Sequence, residues 1–325
     1  MTLLSLDNIP ALQSEVRALA SERGAVILAH NYQLPEVQEV ADFVGDSLGL
    51  SQQAARTDAD VIAFCGVHFM AETASILSPD KTVLLPDPDA GCSLADSITA
   101  DQLRAWKAQH PGALAVMYVN TTAEVKAETD YCVTSANAVQ VVEHIYREHG
   151  EGTEILFGPD MFLGAYVEKT TGRKMHVWDG ECHVHAGIRP ADIRDMRASH
   201  PGADFLIHPE CGCSTSVMEY VAAGDVDPRG VHMLSTGGML GYAKSAPAGA
   251  TAIVATETGM LHPLREARPD VDFVAANEAA SCRFMKMITL PKLRDALRAM
   301  APEVKVSEAI AQRARLPIER MVAIG

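Results

Sequence analysis

Three cysteines recur at nearly regular intervals along this chain, and their type and spacing are typical of a metal centre. Cys92, Cys182 and Cys282 are separated by about 90 and 100 residues, a period long enough to give each cysteine a small domain of its own. Thiolates are the usual protein ligands of iron–sulfur clusters. A 4Fe-4S cluster held by only three thiolates leaves one iron open, and an open iron can bind a substrate oxygen as a Lewis acid in dehydration chemistry.

The other cysteines are interpreted differently. Cys65 and Cys132 lie inside apolar runs and are predicted to be core residues, because free cysteine is among the most buried residue types. Cys211 and Cys213 flank one glycine and could bind a metal, but no second pair lies at zinc-finger spacing, so zinc is the minority interpretation. Seven cysteines in a cytoplasmic chain of this size do not indicate a disulfide framework, because that compartment keeps thiols reduced.

Polar side chains at matching points along the chain are the candidate proton carriers and substrate ligands. Histidine and tyrosine can move protons, asparagine can hold a carboxylate or a carbonyl group, and glutamate can act as a base. Each residue alone would be interpreted as an ordinary packed or surface residue, but their equivalent positions favour one shared crevice. The set consists of His30, Tyr32, Tyr118, Asn120, His208 and Glu210.

Hydroxyl residues form another repeated feature, at Ser47, Ser135 and the pair Ser235–Thr236. Such residues between a strand and a helix normally cap the helix, because their oxygen accepts a hydrogen bond from an unpaired backbone N–H group. Helix N-termini also attract anions. Three of these junctions around one cavity would hold three anionic groups without lysine or arginine, which would allow so acidic a protein to bind acidic substrates.

Short apolar runs followed by helix-like stretches must position all of these residues. The runs fall into three sets of four, a pattern typical of parallel strands joined by helices and covered on both faces. Ordinary βα units at loose intervals are the alternative to a true triplication. The runs are Val26–His30, Phe43–Ser47, Val61–Gly66, Val83–Asp87, Val116–Asn120, Tyr131–Ser135, Ile155–Asp160, Met175–Gly180, Phe205–Glu210, His232–Thr236, Ile253–Thr258 and Phe273–Asn277.

The sequence therefore predicts an α/β protein of three similar, doubly wound α/β/α sandwich domains, each with four parallel strands, around a pseudo-threefold axis. The expected repeats span 1–108, 109–197 and 198–289. A helical segment at 290–325 is expected to pack back on an earlier domain.

The charge balance limits the classes of partner. Lysine and arginine number 27 against 42 aspartate and glutamate residues, a net charge of −15, which disfavours nucleic acids and anionic membrane surfaces. No charged segment precedes an apolar stretch at the N-terminus, and no run of about 18 apolar residues occurs. We therefore expect a cytoplasmic protein without a membrane partner.

A series of short motifs follows in order along nearly the whole chain. The motifs are Ala-His-Asn-Tyr at 29–32, Gly-Asp-Ser-Leu at 45–48, Tyr-Val-Asn at 118–120, Thr-Ser-Ala-Asn at 134–137, Gly-Pro-Asp at 158–160, His-Pro-Glu-Cys at 208–211 and Ser-Thr-Gly-Gly-Met at 235–239. Together they resemble the quinolinate synthase family. The resemblance implies three α/β domains, a 4Fe-4S cluster with one cysteine from each, and condensation of iminoaspartate with dihydroxyacetone phosphate to quinolinate, releasing phosphate and water.

The resemblance also implies roles for particular residues. Tyr32 and Glu210 would be candidates for proton transfer, and His185 and His208 would lie near the cluster as further catalytic candidates. Some family members carry the third ligand within a Cys-x-x-Cys-x-x-Cys run, whereas here the segment 278–282 supplies Cys282 alone. The substrate contacts would be His30, Ser47, Tyr118, Asn120, Ser135, His208, Glu210, Ser235 and Thr236.

Two other functions remain open from the sequence. Another 4Fe-4S hydro-lyase would use the same open iron on a hydroxy acid. A non-catalytic cluster-based sensor would only report on oxygen, and it would not need the proton-moving groups of Tyr32 and Glu210. A transient contact with the enzyme that supplies iminoaspartate is also expected if the family resemblance holds.

Overall fold

Three parallel sheets make up the fold. The computed structural model describes residues 8–223 and 228–324, and within those ranges the sheets contain four strands each. All strand pairings within the sheets are parallel. The spatial order is the same in every sheet: second strand, first strand, third strand, fourth strand. The predicted architecture of three similar four-stranded α/β units is confirmed.

The strands match the predicted runs, but all except β1 end one to three residues earlier than predicted. Phe43–Ser47, for example, is a strand only to Gly45, because Ser47 already begins a helix. The strands are β1 Ala25–His30, β2 Phe43–Gly45, β3 Val61–Cys65, β4 Thr82–Leu84, β5 Leu114–Tyr118, β6 Tyr131–Val133, β7 Ile155–Gly158, β8 His176–Val177, β9 Asp204–Ile207, β10 Val231–Met233, β11 Thr251–Ala255 and β12 Asp272–Ala275.

Helices separate most of the strands along the chain. The third strands of the first two sheets, β3 and β7, are buried at every position, and since successive side chains point to opposite faces, both faces of these strands are covered. The helices are α1 Ile9–Glu22, α2 Pro35–Gln38, α3 Ser47–Arg56, α4 His68–Leu77, α5 Ala100–Gln109, α6 Ala123–Lys126, α7 Ala138–His149, α8 Met161–Thr171, α9 His183–Ala186, α10 Pro190–Ser199, α11 Ser214–Ala223, α12 Thr236–Ser245, α13 Leu261–Ala267, α14 Leu290–Ala299 and α15 Glu308–Ala323.

The strand order fixes where a ligand crevice can form. In each sheet the order of the strands reverses between the first and third strands. Open α/β sheets bind ligands outside the carboxyl ends of their strands at such a switch point. The first strands β1 and β5 end at His30 and Tyr118, and His208 directly follows β9. The sequence-predicted polar residues therefore lie at the position where the topology places a site.

The C-terminal segment packs back on the body, as predicted. Helix α14 contacts α1, and α15 lies against α4 of the first unit and α6 and β6 of the second. The Val304 amide donates a hydrogen bond to Val83 O at 2.8 Å, and Asn137 Nδ2 donates to Met321 O at 2.9 Å. The segment thus holds two of the three units together. No described helix is long and apolar enough to cross a membrane.

Candidate active site

One cavity is lined by all three predicted cluster ligands, Cys92, Cys182 and Cys282. None of their thiols is in a disulfide. The residues that follow them make contacts between the three units: Ser93 Oγ lies 2.8 Å from His183 Nδ1, and the His183 ring meets the Phe284 ring edge-on, with centroids 6.5 Å apart. The loops after the three fourth strands therefore converge.

The electrostatics of these thiols fit a metal cluster. Burial raises the pKa of the Cys92 thiol, and repulsion from Cys182 and Cys282 raises it further. The three thiols line the same cavity, so an ionised thiol there opposes ionisation of the others. A bound metal relieves this repulsion, because the metal binds thiolates and compensates their charge. Three unpaired thiols from three units in one cavity are a donor set suited to a 4Fe-4S cluster with one open iron.

The remaining cysteines lie outside this donor set. Cys65 and Cys132 are fully buried in the core, which confirms their predicted role. Cys211 and Cys213 form a disulfide with their Cα atoms 5.1 Å apart, so neither offers a free thiol and the minority zinc interpretation of this pair is wrong. Both residues are 0% exposed, and this link between near neighbours closes only a tight local turn.

A chain of buried polar groups runs along the cavity wall. The Tyr32 hydroxyl lies 2.6 Å from Thr256 Oγ1, and Thr256 Oγ1 lies 2.9 Å from His185 Nε2. On the other side of that ring, His185 Nδ1 lies 3.2 Å from Glu210 Oε2. The Tyr118 hydroxyl donates to the other oxygen of Glu210. Residues from all three units thus form one connected row of buried polar groups.

This row lies beside the predicted cluster. The ligand atoms of Cys182, His185 and Glu210 all lie within 4.8 Å of one another. A group bound at the cysteines would therefore contact the same cavity in which the proton carriers meet.

The protonation states in this row follow from burial and charge. Burial opposes ionisation of Glu210, but His208, His185 and the hydrogen bonds from His185 and Tyr118 outweigh it and lower its pKa to about 2. Burial also opposes protonation of His185, yet Tyr32, Cys182 and Glu210 raise its pKa well above the usual value. Glu210 is therefore an ionised carboxylate, and its charge favours the protonated form of the His185 ring 3.2 Å away.

Tyr32 is a neutral phenol in this setting. Burial raises its pKa, and the opposing effects of His185 and of the Thr256 hydrogen bond do not offset that shift. Because the His185 imidazolium has a proton on Nε2 to donate to Thr256, the threonine hydroxyl can donate to the phenol oxygen. The Tyr32 proton is then free to point into the cavity, which suits a proton donor.

His30 and His208 form a matched pair at the ends of β1 and β9. His30 Nδ1 accepts a hydrogen bond from the Tyr32 amide at 3.1 Å, and His208 Nδ1 accepts one from the Glu210 amide at 3.3 Å. Burial is the main cause that lowers the pKa of each histidine to about 3. Both rings are therefore neutral, with the proton on Nε2.

Two further polar groups complete this part of the wall. His208 Nε2 lies 3.1 Å from Ser135 Oγ, so the ring can donate to the serine and leave the serine hydroxyl proton for a ligand. Asn120 Oδ1 is buried and has no hydrogen-bond partner among the described residues. A buried polar atom without a partner is costly, and this one belongs to a residue that lines the cavity.

The capping interpretation of the repeated hydroxyls holds for Ser235 but is wrong for Ser47 and Thr236. Helix α3 begins at Ser47 and is capped by Asp46, whose side chain accepts from the Gly49 amide at 2.8 Å. Helix α12 begins at Thr236 and is capped by Ser235. The true caps lie one residue earlier because these side chains reach the third amide of the helix, whereas Ser47 and Thr236 already have helical backbones.

Ser135 also does not cap a helix. It lies two residues before Asn137, which occupies the cap position of α7. Ser47, Ser135 and Thr236 all line the cavity, whereas Ser235 is not among its lining residues. Apart from Ser235, the structure brings every predicted catalytic, substrate-binding and metal-ligand residue to this one cavity.

Thr256 is the main polar residue that the sequence interpretation missed. It follows β11 directly, at the end of a third strand, whereas the polar residues predicted for the site lie at the ends of first and second strands. Glu257, at the next position, lines the cavity, whereas Thr256 is not among its lining residues. A search of the third-strand ends for hydroxyl and carboxylate residues would have found both.

Known proteins similar to this chain share one function in their names. A family model described as quinolinate synthetase A protein matches residues 14–323. The chain belongs to the quinolinate synthase family. It is 58% identical to a quinolinate synthase of Mycobacterium sp. (strain KMS) over 96% of this chain and 91% of that protein. It is 57% identical to quinolinate synthases of Mycobacterium tuberculosis (strain ATCC 25177 / H37Ra) and Mycolicibacterium paratuberculosis, over 96% of this chain and 88% of each relative.

Membership of the quinolinate synthase family makes this chain an enzyme, as the sequence motifs predicted. It also agrees with the cavity, in which proton carriers and a candidate metal site adjoin. The sensor alternative, a protein without catalysis, does not account for relatives that are named as synthases.

Proposed function

We propose that this enzyme condenses iminoaspartate with dihydroxyacetone phosphate to quinolinate, releasing phosphate and water, in NAD biosynthesis. The observation that carries the proposal is the meeting of three unpaired cysteines and a row of buried polar groups at one cavity. Cys92, Cys182 and Cys282 would hold a 4Fe-4S cluster, which supplies a Lewis-acidic iron when bound.

Neutral donors would bind the anionic groups of the substrates. The Nε2–H group of His30 is such a donor, Ser135 would offer its hydroxyl while it accepts from His208, and Asn120 supplies a side-chain amide. The N-terminus of α7, which begins just after the cavity-lining Ser135, would add the attraction of a helix N-terminus for a carboxylate or phosphate. The starts of α3 and α12 are less suited to an anion, because the Asp46 carboxylate caps α3 and also lies against Gly237 in the first turn of α12.

The row of buried polar groups would serve as a proton path for ring formation, which must move protons on carbon and nitrogen before water can leave. Tyr32 would donate a proton to a substrate atom, and the His185 imidazolium would replace it through Thr256. Glu210 stabilises that imidazolium as its counter-ion, and Tyr118 holds the carboxylate in place. The path needs no bulk water, because Tyr32, His185 and Glu210 are all buried.

An anaerobic assay tests the proposal. The protein is reconstituted with iron and sulfide, its iron and sulfide content is measured, and quinolinate formation is followed with oxaloacetate plus ammonia as the source of iminoaspartate. We expect about four irons per chain and quinolinate only when dihydroxyacetone phosphate is present. A cluster-loaded protein that instead dehydrates a hydroxy acid and makes no quinolinate would establish the hydro-lyase alternative.

Several expectations from the sequence remain predictions beside this proposal. They are the domain boundaries 1–108, 109–197 and 198–289 with the segment 290–325, the cytoplasmic location, the lack of nucleic-acid partners and the transient contact with the enzyme that supplies iminoaspartate.

A further inference from the structure

One hydrogen bond around the candidate cluster repeats in all three units. In each unit, a backbone amide just after the third strand donates to the carbonyl oxygen of the residue two positions before the cysteine. This bond fixes each cysteine loop to its own sheet. The three bonds run from His68 to Ala90 at 2.8 Å, from Met161 to Gly180 at 2.8 Å and from Thr258 to Ala280 at 2.9 Å.

In two of the units, a carboxylate adds a second hydrogen bond to the cysteine loop. Asp160 Oδ2 accepts a hydrogen bond from the Cys182 amide at 3.1 Å, while its other oxygen accepts from two amides of α8 at 2.7 and 2.9 Å. Glu257 Oε1 accepts from the Cys282 amide at 2.9 Å, while Oε2 accepts from the Gly259 amide at 2.7 Å. Each carboxylate therefore joins a helical turn to a cysteine backbone.

These two carboxylates are deeply buried and held from several sides. Asp160 is 0% exposed and Glu257 is 1% exposed. Lys286 Nζ lies 3.0 Å from Glu257 Oε1 and also donates to the backbone oxygen of Tyr32. Lys286 thus connects the Cys282 loop of the third unit to the catalytic strand end of the first unit.

In the first unit, the matched position does not hold a carboxylate. Val67 stands at the cap of α4, one residue before His68, as Asp160 stands before Met161 and Glu257 before Thr258. A valine side chain has no acceptor for a cysteine amide. Capping alone does not explain the carboxylates, because one oxygen would be enough for a cap and the second oxygen contacts the cysteine.

We propose that Asp160 and Glu257 are positioning residues that hold Cys182 and Cys282 in the geometry required by the cluster. The inference rests on the proposed function, since it assumes that these cysteines bind a cluster. Groups that orient metal ligands without touching the metal typically change metal affinity by about 10- to 100-fold when they are mutated.

Isosteric variants test this role. In Asp160→Asn and Glu257→Gln, one carboxylate oxygen becomes an NH2 group, which cannot accept from the cysteine amide if the remaining oxygen keeps the cap. Iron release from the reconstituted proteins into a ferrous chelator should be at least about tenfold faster than in the parent. The EPR spectrum of the reduced cluster should also change. Val67→Ala, at the matched position of the first unit, should alter neither.

The outcomes separate this inference from the proposed function. A parent protein without a cluster would overturn the proposed function. A parent with four irons whose Asn and Gln variants match it in release rate and EPR spectrum would overturn the positioning role. The two variants test the role independently, so failure of one to fold leaves the other informative.

An independent group of metal-binding side chains lies at the opposite end of the second sheet. His110 follows α5, Glu154 precedes β7 and His176 opens β8, so all three lie near the amino ends of strands. Glu154 Oε2 is 3.6 Å from His110 Nδ1 and 3.6 Å from His176 Nε2. The three ligand atoms lie within 4.8 Å of one another.

This geometry suits a divalent transition metal. Two imidazoles and a carboxylate are a frequent zinc donor set, and tetrahedral ligands at about 2.0 to 2.1 Å from zinc lie roughly 3.3 Å apart. Small side-chain movements would therefore close the three donors around one ion. We infer that His110, Glu154 and His176 form a surface site for a first-row divalent cation, with water at the fourth position.

Calorimetry with zinc tests this site on the cluster-loaded protein, whose visible absorption is monitored to verify that the cluster stays intact. We expect one zinc-binding isotherm that is lost in His110→Ala and in His176→Ala. His200 follows α10 as His110 follows α5, but its ring contacts Ser199, so His200→Ala should retain the isotherm. Binding that is unchanged in both His110→Ala and His176→Ala, or equally lost in His200→Ala, would refute the assignment.

Discussion

Cys182→Ser is expected to give a folded protein that holds no 4Fe-4S cluster, and Cys92→Ser and Cys282→Ser should behave in the same way. The three cysteines come from three units and line one cavity, so no neighbouring thiol in the described residues replaces a missing ligand. Serine keeps the size of the side chain but its hydroxyl is a far poorer iron ligand than a thiolate. Iron and sulfide content and the visible spectrum after anaerobic reconstitution measure the result.

The disulfide pair provides the control for this prediction. Cys211 and Cys213 are bonded to each other, so Cys213→Ser should leave the cluster content near that of the parent. Full iron retention in Cys182→Ser, together with iron loss in Cys213→Ser, would show that the ligands have been assigned to the wrong cysteines. Circular dichroism of each variant separates loss of the cluster from loss of the fold.

The sequence predicted the sheets well because buried parallel strands leave a clear pattern. Runs such as 61–65 are apolar at every position, as expected for a strand covered on both faces, and the whole of β3 is buried. The pattern is weaker at a sheet edge. The run Met175–Gly180 contains a strand of only two residues, His176–Val177, which pairs with β7 alone.

Site residues could be predicted from the sequence only where they occupy equivalent positions in the three repeats. The three cysteines stand after equivalent strands, so their convergence follows from the topology. The link from Tyr32 through Thr256 to His185 joins three units over long sequence distances, and no local pattern encodes such a pairing. The helix caps were misplaced for a similar reason, because the choice between Ser47 and Asp46 depends on which side chain reaches the Gly49 amide.

Tyr32→Phe should reduce turnover by about a hundredfold or more while leaving the cluster intact, as expected when general acid–base catalysis is lost. The substitution keeps the ring and nearly all of its apolar area and removes only the hydroxyl that lies 2.6 Å from Thr256 Oγ1. Without that hydroxyl, the proposed path from His185 through Thr256 loses the group that donates the proton to the substrate. Steady-state quinolinate formation measures turnover, and the visible spectrum verifies the cluster.

A second tyrosine separates the catalytic effect from the general cost of losing a buried hydroxyl. Tyr131 is buried, and its hydroxyl lies 3.2 Å from His149 Nε2, but it does not line the cavity. Tyr131→Phe should therefore keep turnover within a few-fold of the parent. If the turnover of Tyr32→Phe also stays within a few-fold of the parent with its cluster intact, Tyr32 lines the pocket without transferring a proton. The proton would then have to come from His185 directly, from Tyr118, whose hydroxyl donates to Glu210, or from one of the neutral histidines, His30 and His208.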